Sequence, residues 1–302
     1  MLYKVWKGLS FNYNYQGSGA NYLIDIPYLF SKGVRHLRLL ICDYTDTSPT
    51  GIPLWKTILE YALTFDFETI TIGLSSNPTT LTNLNKSNFT AAYTTPSTGF
   101  AYYLKAQNVL HPGKIICCVG NEEMYHRDGT LTDAQVRAFI RTHFAAIKAI
   151  IPEIPCTYSM ANGEMFPYYN DKNSSALAFP WDGDPDDFAS ANLYSYPHGS
   201  TTSGTDFFTN LSSAVAWFGA TLQISEFGPD PNGYSDANWF DKDFYSDHYK
   251  NQLLGIIDRN IVRAYAYNFM DSAFGAKSPN GTFRHWWYNL IGEQRPFNVG
   301  MV

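Results

Sequence analysis

Along most of this chain, short apolar runs alternate with longer segments whose apolar residues recur every three to four positions. The runs predict strands over residues 5–9, 36–41, 69–74, 114–119, 155–160, 188–194, 221–225 and 261–269. The helical spacing predicts helices over 21–31, 55–65, 99–109 and 244–259, and one that ends near Trp217. A further helix starts behind a Thr132 N-cap, runs to Ile150 and is closed by Pro152. Two polar stretches, 75–97 and 162–187, are too long for ordinary connections, and the first predicts a functional loop or a disordered segment.

Strict alternation of strands and helices favours parallel pairing. Eight strand-helix units in 302 residues predict a (β/α)₈ barrel, read here as one domain over 1–302. An open doubly wound sheet is the competing arrangement. However, strand 1 leads into Gly8-Leu9-Ser10-Phe11-Asn12, with no Gly-x-Gly-x-x-Gly for a dinucleotide. The long connections follow strands and the returns from helices are short, as in a barrel with one functional face. No internal repeat, linker or shift of composition marks a second domain.

Two apolar runs end in the same way. Cys117-Cys118-Val119 leads into Gly120-Asn121-Glu122-Glu123, and Leu222-Gln223-Ile224-Ser225 leads into Glu226-Phe227-Gly228. These are the fourth and seventh strands, whose tips lie across the mouth of an eight-stranded barrel. Two carboxyl groups facing one cavity are what glycosidic cleavage requires, one as acid and one as base or nucleophile. Against apolar walls one carboxyl is pushed up in pKa and keeps its proton, while the better hydrogen-bonded one stays ionised. Glu123 reads as a solvated or salt-bridged neighbour of Glu122.

Composition narrows the function further. Aromatic residues make up 17% of the chain, and flat amphipathic rings both pack cores and grip sugars. Trp181, Trp239 and Trp286 are therefore candidate sugar platforms or loop-packing residues. His198 lines the site or caps a turn. The net charge of −6 with no basic cluster argues against a nucleic-acid partner. Cys42, Cys117, Cys118 and Cys156 sit in or beside strands and read as buried apolar residues rather than disulfides or metal ligands. The adjacent pair Cys117 and Cys118 should face opposite sides of its strand. No long apolar segment predicts a leader or a membrane span, so the chain reads as intracellular or as a trimmed mature domain. No phosphate loop, zinc spacing or Ser-His-Asp signature stands out, so no cofactor is expected. A monomer acting on carbohydrate is the expectation.

Gly120-Asn121-Glu122 and Ile224-Ser225-Glu226-Phe227-Gly228 resemble the clan A glycoside hydrolases, the cellulase, mannanase and xylosidase-like families of (β/α)₈ retaining enzymes. The resemblance implies Glu122 as acid/base, Glu226 as nucleophile and Asn121 as the contact to the sugar 2-hydroxyl. Gly33-Val34-Arg35-His36-Leu37-Arg38 is similar to the family's second strand and implies that Arg38 supports the nucleophile. Asp187-Phe188-Ala189-Ser190-Ala191-Asn192-Leu193-Tyr194 is similar to its sixth strand and implies a hydrogen bond from Tyr194 to the nucleophile. Tyr196 is the alternative wall residue there. Asn192 stands where the family often has His, and strand 8 lacks the customary Trp, so the sugar stays open. The expected activity is retaining hydrolysis of a β-linked oligo- or polysaccharide. A transglycosylase using the same pair and a non-catalytic carbohydrate-binding barrel are the alternatives.

Overall fold

The computed structural model describes residues 8–13, 21–41, 54–74, 82, 86–123, 127, 129–161, 188–195, 207–219, 222–229, 243–261 and 263–266. Eight strands run parallel and pair in chain order: β1 (Gly8–Tyr13), β2 (His36–Ile41), β3 (Thr69–Leu74), β4 (Ile115–Asn121), β5 (Cys156–Met160), β6 (Phe188–Ser195), β7 (Gln223–Pro229) and β8 (Ala264–Ala266). β8 closes the barrel on β1 through the Leu9–Ala266 pairing. Seven helices are described around it: α1 (Tyr22–Ser31), α2 (Leu54–Ala62), α3 (Lys86–Thr94), α4 (Phe100–Leu110), α5 (Asp133–Ile150), α6 (Phe207–Phe218) and α7 (Asp243–Asp258). The (β/α)₈ expectation is borne out. Among the described residues no helix is long and apolar enough to cross a membrane.

Alternation along each strand sorts the side chains. Leu37, Leu39, Ile70, Ile72, Cys117, Val119, Tyr158, Leu193 and Ile224 join one apolar core with helix residues such as Ile58, Ile140 and Phe144. The opposite strand faces carry buried polar groups: Arg38, Thr71, Thr157, Ser159, Ser190, Asn192, Gln223 and Ser225. A barrel interior is ordinarily filled with bulky branched residues. Here it is hydrogen-bonded instead, with Thr157 2.7 Å from Ser190 and Thr71 3.2 Å from Tyr265, hydroxyl to hydroxyl. The Gln223 amide donates to Ser190 at 3.2 Å and accepts from Arg263 at 3.1 Å. Such groups are tolerable in the interior because they satisfy one another. As expected, the adjacent thiols part: Cys117 enters the outer core, while Cys118 approaches Ser159 inside at 3.4 Å.

The structure departs from the sequence expectation at several edges. β1 continues to Tyr13, beyond the expected end at residue 9, because β2 supplies a ladder for all six residues, from Gly8–His36 to Tyr13–Ile41. β7 ends at Pro229, not at residue 225, so Glu226 lies within the strand. The polar stretch 75–97 contains a helix, α3, where a loop or disorder was expected. Its Thr- and Asn-rich sequence has weak helical preference. Two aromatic residues four apart, Phe89 and Tyr93, overcome this by burial against α4 and α5. Thr90 and Thr94 turn their hydroxyls back to the carbonyls one helical turn earlier, at 3.1 and 2.9 Å, so little of the polar content demands water.

Candidate active site

Both glutamates sit at irregularities in the ladder. On β4 the pairing with β5 slips between Cys118 and Asn121. On β7 the pairing with β6 slips between Ala191, opposite Ile224, and Asn192, opposite Glu226. One residue is thereby added to each strand, which re-aims the side chains beyond it. Ser225 and Glu226 consequently both reach polar partners on the inner side, while Ile224 and Phe227 both lie in the outer core. Glu122 follows directly after β4 with φ 54°, the left-handed region that costs an ordinary residue roughly 1–2 kcal/mol. Its N–H is tied to the Ser159 carbonyl at 2.9 Å.

The Glu226 carboxylate, 4% exposed, is held at both oxygens. Arg38, 1% exposed, donates from Nη1 to Oε1 at 2.8 Å, and the Tyr194 hydroxyl donates to Oε2. The second Arg38 nitrogen, Nη2, donates to Asn121 Oδ1 at 2.8 Å and to Ser159 Oγ at 3.2 Å. Burial is the largest single influence on the Arg38 pKa and would lower it, but the Glu226 charge and hydrogen bond, together with Cys118 and Tyr194, outweigh it and raise the net value, so the guanidinium stays charged. Asn192 completes the circuit. Its Nδ2 donates to Glu122 Oε1 at 2.9 Å and to Asn121 Oδ1 at 3.1 Å, and its Oδ1 accepts from Ser225 Oγ at 2.6 Å. A short series of hydrogen bonds therefore joins the two acids through Arg38, Asn121 and Asn192.

Electrostatics sets Glu122 apart. Glu122 is raised from 4.5 to about 7, first by loss of solvation and then by the Glu226 charge. The Asn192 hydrogen bond and Arg38 pull it back only partly. A half-buried acid that keeps its proton near neutrality thus stands beside a carboxylate gripped by a guanidinium and a phenol. Such a site can donate one proton and offer one nucleophilic oxygen within the same mouth.

Six residues singled out in the sequence come together here: Arg38, Asn121, Glu122, Asn192, Tyr194 and Glu226. Tyr196, His198, Trp181, Trp239 and Trp286 lie outside the described residues. Of the two readings of Glu123, solvated or salt-bridged, the solvated one is corrected: the residue is fully buried, and Oε1 accepts the Asn121 N–H at 2.9 Å. Sequence reasoning also passed over Ser159 and Ser225, which brace Arg38 and Asn192. Their signal was the period-two polar pattern inside otherwise apolar strands, Thr157/Ser159 and Gln223/Ser225. Among the described residues, no group of three or more His, Cys, Asp or Glu side chains is arranged to hold a metal ion.

No protein-family model and no curated protein matches the sequence. Solved structures do match the fold. Bacteroides uniformis β-glucuronidase superposes with a TM-score of 0.62 at 15% identity over 96% of this chain and 35% of its own. The FMN-binding β-glucuronidase of Facaelibacterium prausnitzii L2-6 gives 0.59 at 14% identity over 94% of this chain and 43% of its own. The present chain thus spans well under half the length of these glucuronidases. The wild-type ZgEngAGH5_4 structure gives 0.62 at 15% identity, with 96% of this chain and 95% of that one covered. The chain has the (β/α)₈ barrel fold, which these superpositions support and the resemblance of its strand motifs implied.

Proposed function

We propose that the protein is a retaining β-glycoside hydrolase acting on oligo- or polysaccharide, with Glu226 as nucleophile and Glu122 as acid/base. The observation that carries this reading is the division of labour between the acids. Glu122 holds a proton up to about pH 7, while Glu226 is braced by Arg38 and Tyr194. The likeness of fold to β-glucuronidases is compatible with it.

In the first step a Glu226 oxygen attacks the anomeric carbon as the bond to the leaving oxygen breaks. The electron pair goes to that oxygen, and Glu122 supplies its proton. Charge develops on the sugar ring between the two groups while Glu226 becomes an ester. In the second step Glu122, now a carboxylate, takes a proton from water. The water oxygen displaces Glu226 and restores the configuration at the anomeric carbon. Asn121 faces the same mouth and is assigned to the 2-hydroxyl. Its Oδ1 is already occupied by Arg38 and Asn192, which leaves the Nδ2 donors for the sugar.

The test is a screen of aryl β-glycosides together with β-glucans, mannans and xylans, with Glu226→Gln as control. Turnover with retained anomeric configuration, abolished in Glu226→Gln, is expected. Absence of turnover on every substrate, or equal turnover in the variant, overturns the assignment. Glycan affinity without turnover would instead mark a binding barrel.

A further inference from the structure

A second buried assembly lies behind the tip of β4, on the side away from Glu226. The β3–β4 ladder stops at the Ile72–Cys117 pair. Beyond it, Tyr93 of α3 enters between the two strands. Its hydroxyl accepts the Leu74 N–H at 2.7 Å and lies 3.0 and 3.1 Å from the carbonyls of Leu74 and Cys118, where its proton is shared. A side chain from a helix thus replaces the next rung of the sheet. Gly73 permits this close approach, since a Cβ there would stand 2.2 Å from the Cys118 carbonyl oxygen.

The slip that re-aims β4 begins at that replaced rung, and Glu123 closes it from the other end. Its side chain folds back so that Oε1 takes the Asn121 N–H at 2.9 Å, and its own N–H donates to the Tyr158 hydroxyl of β5 at 2.7 Å. The carboxyl lies against Gly120, where a Cβ would come within 2.5 Å of Oε1. Between these anchors the chain places Asn121 on Arg38 and Glu122 on Asn192. Glu122 pays the left-handed backbone for it. An unfavourable φ at a working residue persists only where its surroundings over-determine it.

We propose that Glu123 and Tyr93 are positioning residues that lock the bulged tip of β4 and thereby fix the direction of the Glu122 carboxyl. The Glu123 side chain acts on the Asn121 N–H, and the Tyr93 hydroxyl on the backbone of Leu74 and Cys118. The role in turnover rests on the reading of Glu122 as acid/base, whereas the placement of the carboxyl does not.

Two measurements separate these. The first follows the Glu122 carboxyl by carbon-13 NMR titration in the full chain, with Glu122→Gln to identify the resonance. In Glu123→Ala, Glu122 is expected to swing toward water and titrate at least about one pH unit below the parent, toward the ordinary value of 4.5. Tyr93→Phe, which keeps the ring and deletes the hydroxyl, moves it the same way by less. Glu123→Gln keeps an acceptor for the Asn121 N–H and stays near the parent. Unchanged titration in folded Glu123→Ala and Tyr93→Phe overturns the proposal.

The second measurement compares phenyl and 2,4-dinitrophenyl glycosides of the sugar that the substrate screen selects. A dinitrophenolate departs without a proton, so a misplaced acid should slow the phenyl substrate by at least about tenfold more. That selective loss is expected in Glu123→Ala and is rescued in Glu123→Gln. Equal loss on both substrates denotes general damage and overturns the positioning role. If Glu122→Ala itself shows no such selectivity, the acid/base reading fails while the titration still judges the lock.

Discussion

A Glu122→Gln variant isolates what the site costs the fold. In the folded chain Glu122 is raised from 4.5 to about 7, because burial and the Glu226 charge penalise its ionised form. Below about pH 4.5 the carboxyl is protonated in both folded and unfolded chains, and nothing is lost. As pH climbs from 4.5 to 7 the unfolded chain ionises first, so stability falls across that window and the penalty stays constant above it. The difference of 2.5 units (7 − 4.5) corresponds to about 3 kcal/mol at 1.36 kcal/mol per unit. Glu122 is only half-buried, so screening by water reduces this to about 2 kcal/mol. Glutamine does not ionise and still offers Asn192 an acceptor. Urea unfolding of both proteins at pH 4, 6 and 8 should show equal stability at pH 4 and a growing advantage for the variant, reaching about 2 kcal/mol at pH 8. An advantage that is independent of pH, or a variant less stable at pH 8, would refute the electrostatic account. Function kept at the expense of stability is what an acid poised near neutrality entails.

Arg38→Met should destabilise the protein by roughly 3–5 kcal/mol in urea unfolding at pH 7, because it strands the buried Glu226 carboxylate. Adding Glu226→Gln should recover most of that loss, and a single-variant loss below about 1 kcal/mol would contradict the ion pair's role. His143 is buried among Phe89, Tyr93 and Phe139 with no hydrogen bond at either ring nitrogen among the described residues, and burial lowers it from 6.5 to about 3. Its neutral form is favoured in the fold, so stability drains away as pH falls from 6.5 toward 3, the unfolded chain taking up the proton first. His143→Phe should therefore move the acid-unfolding midpoint to lower pH, with a gain of about 3 kcal/mol at pH 4 (6.5 − 4 = 2.5 units). An unchanged midpoint would count against it.

Much of the architecture is legible along the chain because a barrel repeats a local rule. Each strand buries one face against helices, and that need writes Leu37/Leu39, Ile70/Ile72 and Cys117/Val119 into the sequence at period two. The strand ends carrying Glu122 and Glu226 are legible for the same reason, since an apolar run that stops at a carboxylate is a local pattern. α3 is not, because Lys86–Thr94 has little helical character of its own and forms through contacts of Phe89 and Tyr93 with α4 and α5. Glu123 misled for a related reason. Its burial depends on Gly120 and on the Tyr158 hydroxyl, 35 positions away.

By itself, the sequence determined the order of the strands and of every described helix except α3, the parallel pairing that follows from it, and the two strand tips at which acids occur. These depend on periodicity and connection length, which act between neighbours in the chain. Which acid keeps its proton, and which is held at both oxygens, only the tertiary structure decided. Arg38 meets Glu226 across 188 positions, and Asn192 meets Glu122 across 70. The two slips in the ladder that turn these side chains inward exist only once β4 is paired with β5 and β6 with β7. A pKa is a property of such surroundings, and so the raised pKa of Glu122 emerges only when the barrel closes.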